Sequence, residues 1–490
     1  MVDILVIGGG PAGVVAALRA RELGATVALV ERGELGGTCV NDGCVPTRVL
    51  AKAARLVRDA TQFPDYGISP AQPEVDFRRL LERTQEIVQH VQQKKQLHEN
   101  LQQAGVQLFT GVGNARFVDE HTIALTDGTR LQAEKFIICA GGHARRLPFP
   151  GSEHALTYND IWALEKLPQS AVVVGGAATG CQLASILAAF GTRVTLLDVA
   201  HSLLPSADPM IADEIMTSFR GRGIEVITGI SGIERIEREE TQLHCYYRRN
   251  GAGVELPTEM VILATGWPGN AAALHVEAAQ VRTERGYVVV DDYLQTSVPH
   301  IFAAGDITGR MMLVQSADHQ GRIAAENAIL GIDRTFAGTL IPYGGFTDPE
   351  YAGVGLTEPQ ACAQTDCVVA VVSYADLDRA VIDQRTTGSL KLIVSRESRR
   401  ILGAHVAGEQ ALEVVQIVAA GMASGARVEQ LANLRLAYPT FAAIVEVAAR
   451  RLVRELGVVP LAPHWRDLRQ LRVAEWERSL VQERPNMLLI

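Results

Sequence analysis

A short apolar run, Ile4 to Ile7, leads into Gly8-Gly9-Gly10-Pro11-Ala12-Gly13 and then into Val14-Val15-Ala16-Ala17-Leu18-Arg19-Ala20, which reads as a helix. Unbroken apolar runs of this length, bounded by glycine, predict strands buried on both faces of a parallel sheet. A second strand, Thr26 to Val30, ends on Glu31. The same order of patterns returns at Ala171 to Val174, Gly175-Gly176-Ala177-Ala178-Thr179-Gly180 and the helix-like Cys181 to Phe190. Between the two copies, Val75 to Ala104 predicts a long helix whose polar Gln92-Gln93-Lys94-Lys95-Gln96 marks a solvated face and not a recognition patch. Near the end of the chain, Trp465, Leu468, Leu471, Trp476 and Leu480 recur at helical spacing. Arg466, Asp467, Arg469, Gln470, Glu477 and Arg478 fill much of the remainder, so an amphipathic helix is expected there.

Strand, glycine turn and helix in this order are the requirements of a dinucleotide-binding unit. Gly8 permits the tight turn, Gly10 lets backbone approach a pyrophosphate, Gly13 allows close helix packing, and the helix N-terminus receives the phosphate charge. Glu31, at the end of the next strand, can bind ribose hydroxyls. In the second copy Gly175 and Gly180 hold the outer positions, and Asp198 follows Gly180 by eighteen residues, the interval that separates Glu31 from Gly13. Two such units imply two dinucleotides. Ala177 replaces the middle glycine and adds a methyl group where a pyrophosphate would approach, which predicts weaker or displaced binding. Asp198 would accept from an unmodified ribose and repel a 2′-phosphate, which favours NADH over NADPH. Arg193, Arg220 and Arg222 keep NADPH open.

Two cysteines stand close behind the first fingerprint, in Gly36-Gly37-Thr38-Cys39-Val40-Asn41-Asp42-Gly43-Cys44-Val45-Pro46. A thiol pair relays two electrons only if one sulfur is easily a thiolate, and the helix expected after Cys44 puts that sulfur at a positive N-terminus. The adjacency predicts a redox disulfide beside a flavin. Cys362 and Cys367 repeat the spacing, but no glycine lies between them and no fingerprint adjoins them, so they and the other cysteines read as structural. The twelve histidines show no metal-ligand spacing, no metal site is expected, and His405 reads as part of a strand.

On these motifs the chain resembles a class I flavoprotein disulfide reductase, the family of lipoamide dehydrogenase, glutathione reductase and mercuric reductase, over about residues 1 to 455. Ile301-Phe302-Ala303-Ala304-Gly305-Asp306 resembles the second flavin motif, whose aspartate holds the ribityl chain. Ile341 to Glu350, Val354 to Glu358, Leu402-Gly403-Ala404-His405 and Tyr438-Pro439-Thr440 resemble landmarks of the dimerisation domain. The implied fold class is α/β, with two Rossmann-like dinucleotide-binding domains and an α+β dimerisation domain. The implied division is 1–150 for the first part of the FAD domain, 151–276 for the NAD(P) domain and 277–338 for the rest of the FAD domain. Residues 339–455 form the interface domain and 456–490 a tail. The resemblance implies a homodimer that passes a hydride from NAD(P)H to FAD and on to the disulfide, with Cys39 as the outer sulfur and Cys44 as the inner. It adds Gly37, Thr38 and Gly141 to the cofactor-binding residues.

Departures from the family pattern cluster around the active centre. The His-Pro-Thr-x-x-Glu motif, supplied by the partner subunit, shuttles protons to thiol substrates, and its histidine and glutamate positions here hold Tyr438 and Ala443. A phenol stays protonated near neutral pH and cannot cycle protons as imidazole does, while Glu446 lies near enough in sequence to offer a substitute. A lysine and glutamate paired beside the flavin are replaced by Arg48 and Gln182, which predicts a more positive field there. Gln315 and Gln320 stand where histidine and glutamate are frequent, and Trp267 replaces an arginine. Mercuric reductases share the aromatic-Pro motif, so a metal ion or another small acceptor is the leading expectation, although their terminal vicinal cysteines and amino-terminal metal-binding domain are not found. A dithiol-disulfide reductase with another proton donor, and a non-catalytic redox sensor or assembly component, stay open.

Composition sets bounds. At 490 residues the chain can form two to four domains, and a net charge of -9 with no basic face argues against a nucleic-acid partner. Met1-Val2-Asp3 runs directly into the first strand with no secretory signal, no apolar run spans a membrane, and the scattered cysteines suggest a reducing compartment, so a cytoplasmic protein is expected. The terminal helix is expected to pack on its own dimer. Its alternative is docking to a membrane surface or protein partner through Met487-Leu488-Leu489-Ile490.

Overall fold

In the computed structural model, residues 1–69 and 73–458 are described, and the chain divides into two compact units. The first comprises 1–199 and 227–339, and the second 200–226 with the chain from 340 onward. The helix expected around Trp465 to Leu480 lies outside the described residues.

The first unit contains both glycine-fingerprint sheets. In one, Gln107–Thr110, Val27–Glu31, Val2–Ile7 and Arg130–Ile138 lie side by side and parallel. The second half of Arg130–Ile138 also pairs with Ile301–Ala303, which brings the second flavin motif next to the first. Leu5, Val6, Ile137, Ile138 and Ile301 are all fully buried, as expected for strands covered on both faces. In the other sheet, Arg193–Leu197, Ser170–Val174, Met260–Leu263 and Leu156–Thr157 are parallel in that order. A three-stranded antiparallel sheet, Gly232–Glu239, Gln242–Arg249 and Ala252–Thr258, completes this unit's larger elements.

The two fingerprints share one packing device. The helix Pro11–Glu22 comes so close to its turn that a Cβ on Gly13 would lie 1.8 Å from the Gly8 carbonyl oxygen. On Ala178–Ala189 a Cβ on Gly180 would lie 1.7 Å from the Gly175 oxygen. Any larger residue would push the helix N-terminus off the strand end. The repeat read from the sequence is therefore a repeat of atomic contacts. The expected long helix is two helices, Phe77–Lys95 and Leu97–Gln103, because Gln96 adopts a left-handed conformation (φ 46°) and ends the first. Its amide still bonds to the Gln92 carbonyl, as in an αL cap.

The second unit is an antiparallel sheet, in the order Tyr343–Gly345, Glu350–Gly355, Ile401–Gly408, Ser389–Ser395, Cys367–Ser373, with helices Ala411–Ala423 and Ala443–Glu455 packed on it. His405 is a fully buried strand residue whose Nε2 lies 2.9 Å from the Leu356 oxygen. Cys362 and Cys367 are bonded to each other, and Cys139, Cys181 and Cys245 are buried thiols. Among the described residues no helix is long and apolar enough to cross a membrane.

One buried ion pair holds this unit together. The Lys391 ammonium, 8% exposed, donates to the Asp208 carboxylate at 2.7 Å and to Glu358 at 2.5 Å, while Asp208 also caps the helix Pro209–Gly221. Burial pushes the Asp208 carboxyl up, but Lys391 and the Glu358 amide bring it below its ordinary value. The pair therefore stabilises at neutral pH and is lost as acid protonates Asp208. Lys391→Met should cost about 3–5 kcal/mol in chemical denaturation, because it leaves a buried charge unpaired. Adding Asp208→Asn should recover part of that loss. A destabilisation below about 1 kcal/mol for the single variant, the range of an exposed pair, would show the pair to be solvent-screened.

Candidate functional site

The cysteine turn is fixed to the first fingerprint. The Gly36 amide donates to the Gly9 carbonyl at 2.9 Å, and a Cβ on Gly37 would meet Gly10 Cα at 2.8 Å. Cys39 lies in the short helix Gly37–Asn41, and Cys44 is the first residue of the helix Cys44–Ala60. The residues between them are held from outside. Val40 is buried, Asn41 Oδ1 accepts from Gln92 Nε2 at 2.8 Å, the Asp42 carbonyl accepts from Trp162 Nε1 at 3.1 Å, and the Asp42 carboxylate accepts from Asn159.

The two thiols are inequivalent. Cys39's thiol hydrogen bond lowers the Cys44 pKa, against burial and the charge of Asp306, and the backbone at the helix start lowers it further. That same bond, with burial, pushes the Cys39 thiol up, while Lys95 acts in the opposite direction. Cys44 is thus the sulfur more easily ionised, in the position the resemblance gives the inner one. The largest lowering comes from the neighbouring sulfur. Arg48 and Gln182 lie on helices that pack against each other, Cys44–Ala60 and Ala178–Ala189, and the Gln182 amide donates to the Ala178 carbonyl at 3.1 Å. Lys95 was read as part of a solvated face, yet its charge reaches Cys39, and Gln92 on the same helix holds Asn41. Only the folded helix reveals this.

The first glycine turn fits FAD by its own geometry. A Cβ on Gly10 would find its nearest neighbour at 3.8 Å, an ordinary contact, and the residue has extended backbone, so the protein itself does not require glycine there. A ligand approaching the backbone would. The Glu31 carboxylate spans the turn, accepting from the Gly9 amide at 2.7 Å and the Gly33 amide at 2.8 Å. Asp306 follows Gly305, whose amide is held by the buried Gln320 side-chain carbonyl at 2.9 Å. Burial raises the Asp306 pKa, and the Trp267 indole, donating to it at 3.0 Å, offsets this in part. Gly141 accepts from the Asn270 amide at 3.0 Å in the same region. In the second fingerprint the Asp198 carboxylate accepts from the Gly176 amide, and Ala177 has the extended conformation of Gly10. The alanine therefore costs only the space its methyl fills. Arg222, one of the cations that kept NADPH open, is bonded to Asp348 at 3.0 Å.

The family's proton-shuttle position is rebuilt. Tyr438, 58% exposed, donates its hydroxyl to Asp378 Oδ2 at 2.6 Å. Ala443 begins the helix Ala443–Glu455 without a carboxylate. Glu446, the nearby carboxylate, is paired with Arg450 one turn on, and Arg435 lies 3.9 Å away. Asp378 was not foreseen: it sits 60 residues before Tyr438, and nothing local in the sequence marks it. No group of three or more His, Cys, Asp or Glu side chains among the described residues could hold a metal ion.

Known proteins match nearly the whole chain. A family described as pyridine nucleotide-disulphide oxidoreductase matches residues 2–321, and its dimerisation domain matches 341–449. The mercuric reductase of Staphylococcus aureus is 32% identical over 451 residues, 91% of this chain and 82% of that protein. The dihydrolipoyl dehydrogenase of Geobacillus stearothermophilus is 33% identical over 455 residues, 91% and 95% of the two chains. The HOCl-induced flavoprotein disulfide reductase RclA from Escherichia coli is similar with a TM-score of 0.81 and 29% identity, over 91% of this chain and 99% of that one. A Cu(II) complex of the same protein matches with a TM-score of 0.81 and 28% identity, over 92% and 99%. With both glycine fingerprints, the cysteine turn and the dimerisation domain in place, the chain belongs to the pyridine nucleotide-disulphide oxidoreductases, class I flavoprotein enzymes that use FAD and NAD(P)H.

Proposed function

We propose that this enzyme is a homodimeric reductase of a thiophilic metal ion, Hg2+ or Cu2+, working through the Cys39–Cys44 pair and taking its electrons from NADH in the cytoplasm. The observation that carries the reading is the state of Tyr438. Its hydroxyl proton is committed to Asp378, the glutamate position is Ala443, and Glu446 is paired with Arg450. A disulfide acceptor needs a proton delivered to its leaving thiolate, and here no imidazole stands at the shuttle position to deliver it. A metal ion needs none. Similarity to the mercuric reductase and to a protein solved with Cu(II) supports the same class of acceptor.

Bound FAD carries the two electrons of a hydride from the nicotinamide to the sulfurs. The chain contributes the rest. The Gly10 turn and Glu31 would hold the flavin nucleotide, and Asp306 its ribityl chain. Gly175, Gly180 and Asp198 would hold the nicotinamide nucleotide, with the Asp198 carboxylate rejecting a 2′-phosphate. Cys44, the more acidic sulfur, would face the flavin, and Cys39 would meet the metal. Both thiolates together supply two electrons and close to the disulfide. Hg2+ takes both as Hg0, or two Cu2+ take one each as Cu+, and NADH is left as NAD+ and a proton.

An anaerobic titration followed by a panel of acceptors tests this. Turnover on Hg2+ or Cu2+ should exceed turnover on lipoamide or glutathione disulfide by about 100-fold, the usual contribution of a general acid. Comparable rates on a disulfide would overturn the reading, and reduction without turnover on any acceptor would favour a sensor.

Two variants probe the parts separately. Two-electron reduction should produce a long-wavelength thiolate band that Cys44→Ser abolishes, and retention of the band would reverse the assignment of the sulfurs. Tyr438→His with Ala443→Glu should raise disulfide turnover by about tenfold or more while NADH reduces the flavin at an unchanged rate. Asp198→Ala should weaken NADH use more than NADPH use. Equal losses in kcat/KM would remove the preference for NADH.

A further inference from the structure

Trp267 replaces the family's arginine, and the structure gives this residue four restraints. Its indole N–H donates to Asp306 Oδ2 at 3.0 Å, and its backbone carbonyl accepts from the Tyr287 hydroxyl at 2.8 Å. Its edge lies against the bare backbone of Gly142, where a Cβ would approach indole Nε1 to 2.6 Å. Its ring meets the Tyr158 ring at 5.4 Å and a 50° tilt. A side chain held on every side is placed by the fold, not left where solvent allows. The group it holds is the carboxylate of the second flavin motif.

Tyr158 carries an anomaly. Its hydroxyl is buried and has no hydrogen-bond partner among the described residues. Asn159 and Thr38 lie near enough to act on it, but neither meets it in hydrogen-bond geometry. Burial, with the charges of Asp42 and Asp306, keeps the phenol protonated well above its ordinary range. A buried donor without an acceptor costs about 1–3 kcal/mol and calls for an explanation. Here the explanation lies in its surroundings. The groups that sense this hydroxyl are Thr38 and Asp42 of the cysteine turn and Asp306 of the flavin motif. The cysteine turn and the Gly305 turn both meet the first fingerprint, Gly37 against Gly10 and Gly305 against Ala12.

We propose that Tyr158 and Trp267 form an aromatic wall of the FAD site, in which the Tyr158 hydroxyl donates to the bound flavin nucleotide and Trp267 acts as a positioning residue for Asp306. The inference rests on the assignment of the Gly305–Asp306 turn to the flavin. It puts two neutral donors and two rings where the family pattern has an arginine. A guanidinium would neutralise Asp306; the indole orients the carboxylate and leaves its charge in place. The ribityl hydroxyls then meet a full acceptor, and the flavin sits against aromatic surface that can quench its fluorescence.

The test uses the holoenzyme. FAD dissociation is followed by the fluorescence of released flavin on dilution, with the visible spectrum and bound-flavin fluorescence recorded before release, and circular dichroism at saturating FAD confirming the fold. Tyr158→Phe removes only the hydroxyl and should weaken FAD binding about tenfold, the effect of one lost hydrogen bond, while shifting the bound-flavin spectrum. Trp267→Phe should weaken binding by a similar factor and raise bound-flavin fluorescence. Trp267→Arg should restore the affinity, because a guanidinium can again hold Asp306, but not the quenching. Unchanged FAD affinity and spectrum in Tyr158→Phe, or no difference between the phenylalanine and arginine variants at 267, overturns the proposal. Asp306→Ala separates the two levels. If that variant retains FAD as tightly as the parent, the assignment of the turn itself has failed; if it alone loses FAD, only the aromatic wall has.

Discussion

The contact between Gly37 and Gly10 is the constraint on which the rest of this active centre depends. A chain segment carrying two cysteines has no intrinsic reason to lie against a nucleotide-binding turn, and here it does so because Gly37 has no side chain. A Cβ on Gly37 would reach 2.8 Å from Gly10 Cα, and the neighbouring Gly36 amide closes the contact by donating to the Gly9 carbonyl at 2.9 Å. From that anchor, Cys39 and Cys44 are placed by two short helical segments, and Asn41 and Asp42 are tied to Gln92, Asn159 and Trp162. The position of the sulfurs is thus set by backbone contact, with side chains acting as struts. Such a device is rigid, and a thiol pair that must exchange electrons with a cofactor benefits from fixed distance more than from flexibility.

How much of this was legible in the sequence follows from how local each signal is. The strand-turn-helix units were readable because an apolar run, a glycine turn and a helix occur within a few tens of residues, and Gly8, Gly13, Gly175 and Gly180 answer to close approaches that the structure shows as Cβ clashes. The cysteine turn was readable for the same reason, down to Cys44 at a helix start. What escaped is non-local. Asp378 meets Tyr438 across 60 residues, Trp267 meets Asp306 across 39, and Lys95 reaches Cys39 only once the helix Phe77–Lys95 is folded beside the turn. The break at Gln96 was missed for a different reason. A non-glycine residue accepts a left-handed conformation there, and local propensity gives no warning of it.

The chain's departures from its family form a coherent set when read as charges. An imidazole that cycles protons has become a phenol whose proton points at Asp378, and the carboxylate that would orient it is absent at Ala443. An arginine near the flavin motif has become an indole that donates to Asp306 without neutralising it. Gln320, in place of a frequent glutamate, uses its amide to hold the Gly305 turn and to donate to Ser316 at 2.9 Å. Each change removes a charged or protonatable side chain, and Tyr438, Trp267 and Gln320 each leave a neutral donor or acceptor with a defined partner. The result is a centre with fewer ionisable side chains.

That loss has a physical consequence for the sulfurs. Where a neighbouring imidazole is present, a thiolate can be stabilised by an imidazolium formed in the same step; here the Cys44 anion depends on the Cys39 thiol and the helix start, and Asp306 opposes it. That hydrogen bond lasts only while Cys39 keeps its proton, so a second negative charge on the pair is opposed until something replaces that proton. A thiophilic cation does so directly, because it binds both sulfurs and displaces the proton in the same event. A neutral disulfide offers no such charge, and attack on it would leave a thiolate product with no acid at the shuttle position to quench it. The same hydrogen bond that makes the two cysteines unequal is therefore the local feature that favours the thiophilic acceptor we propose.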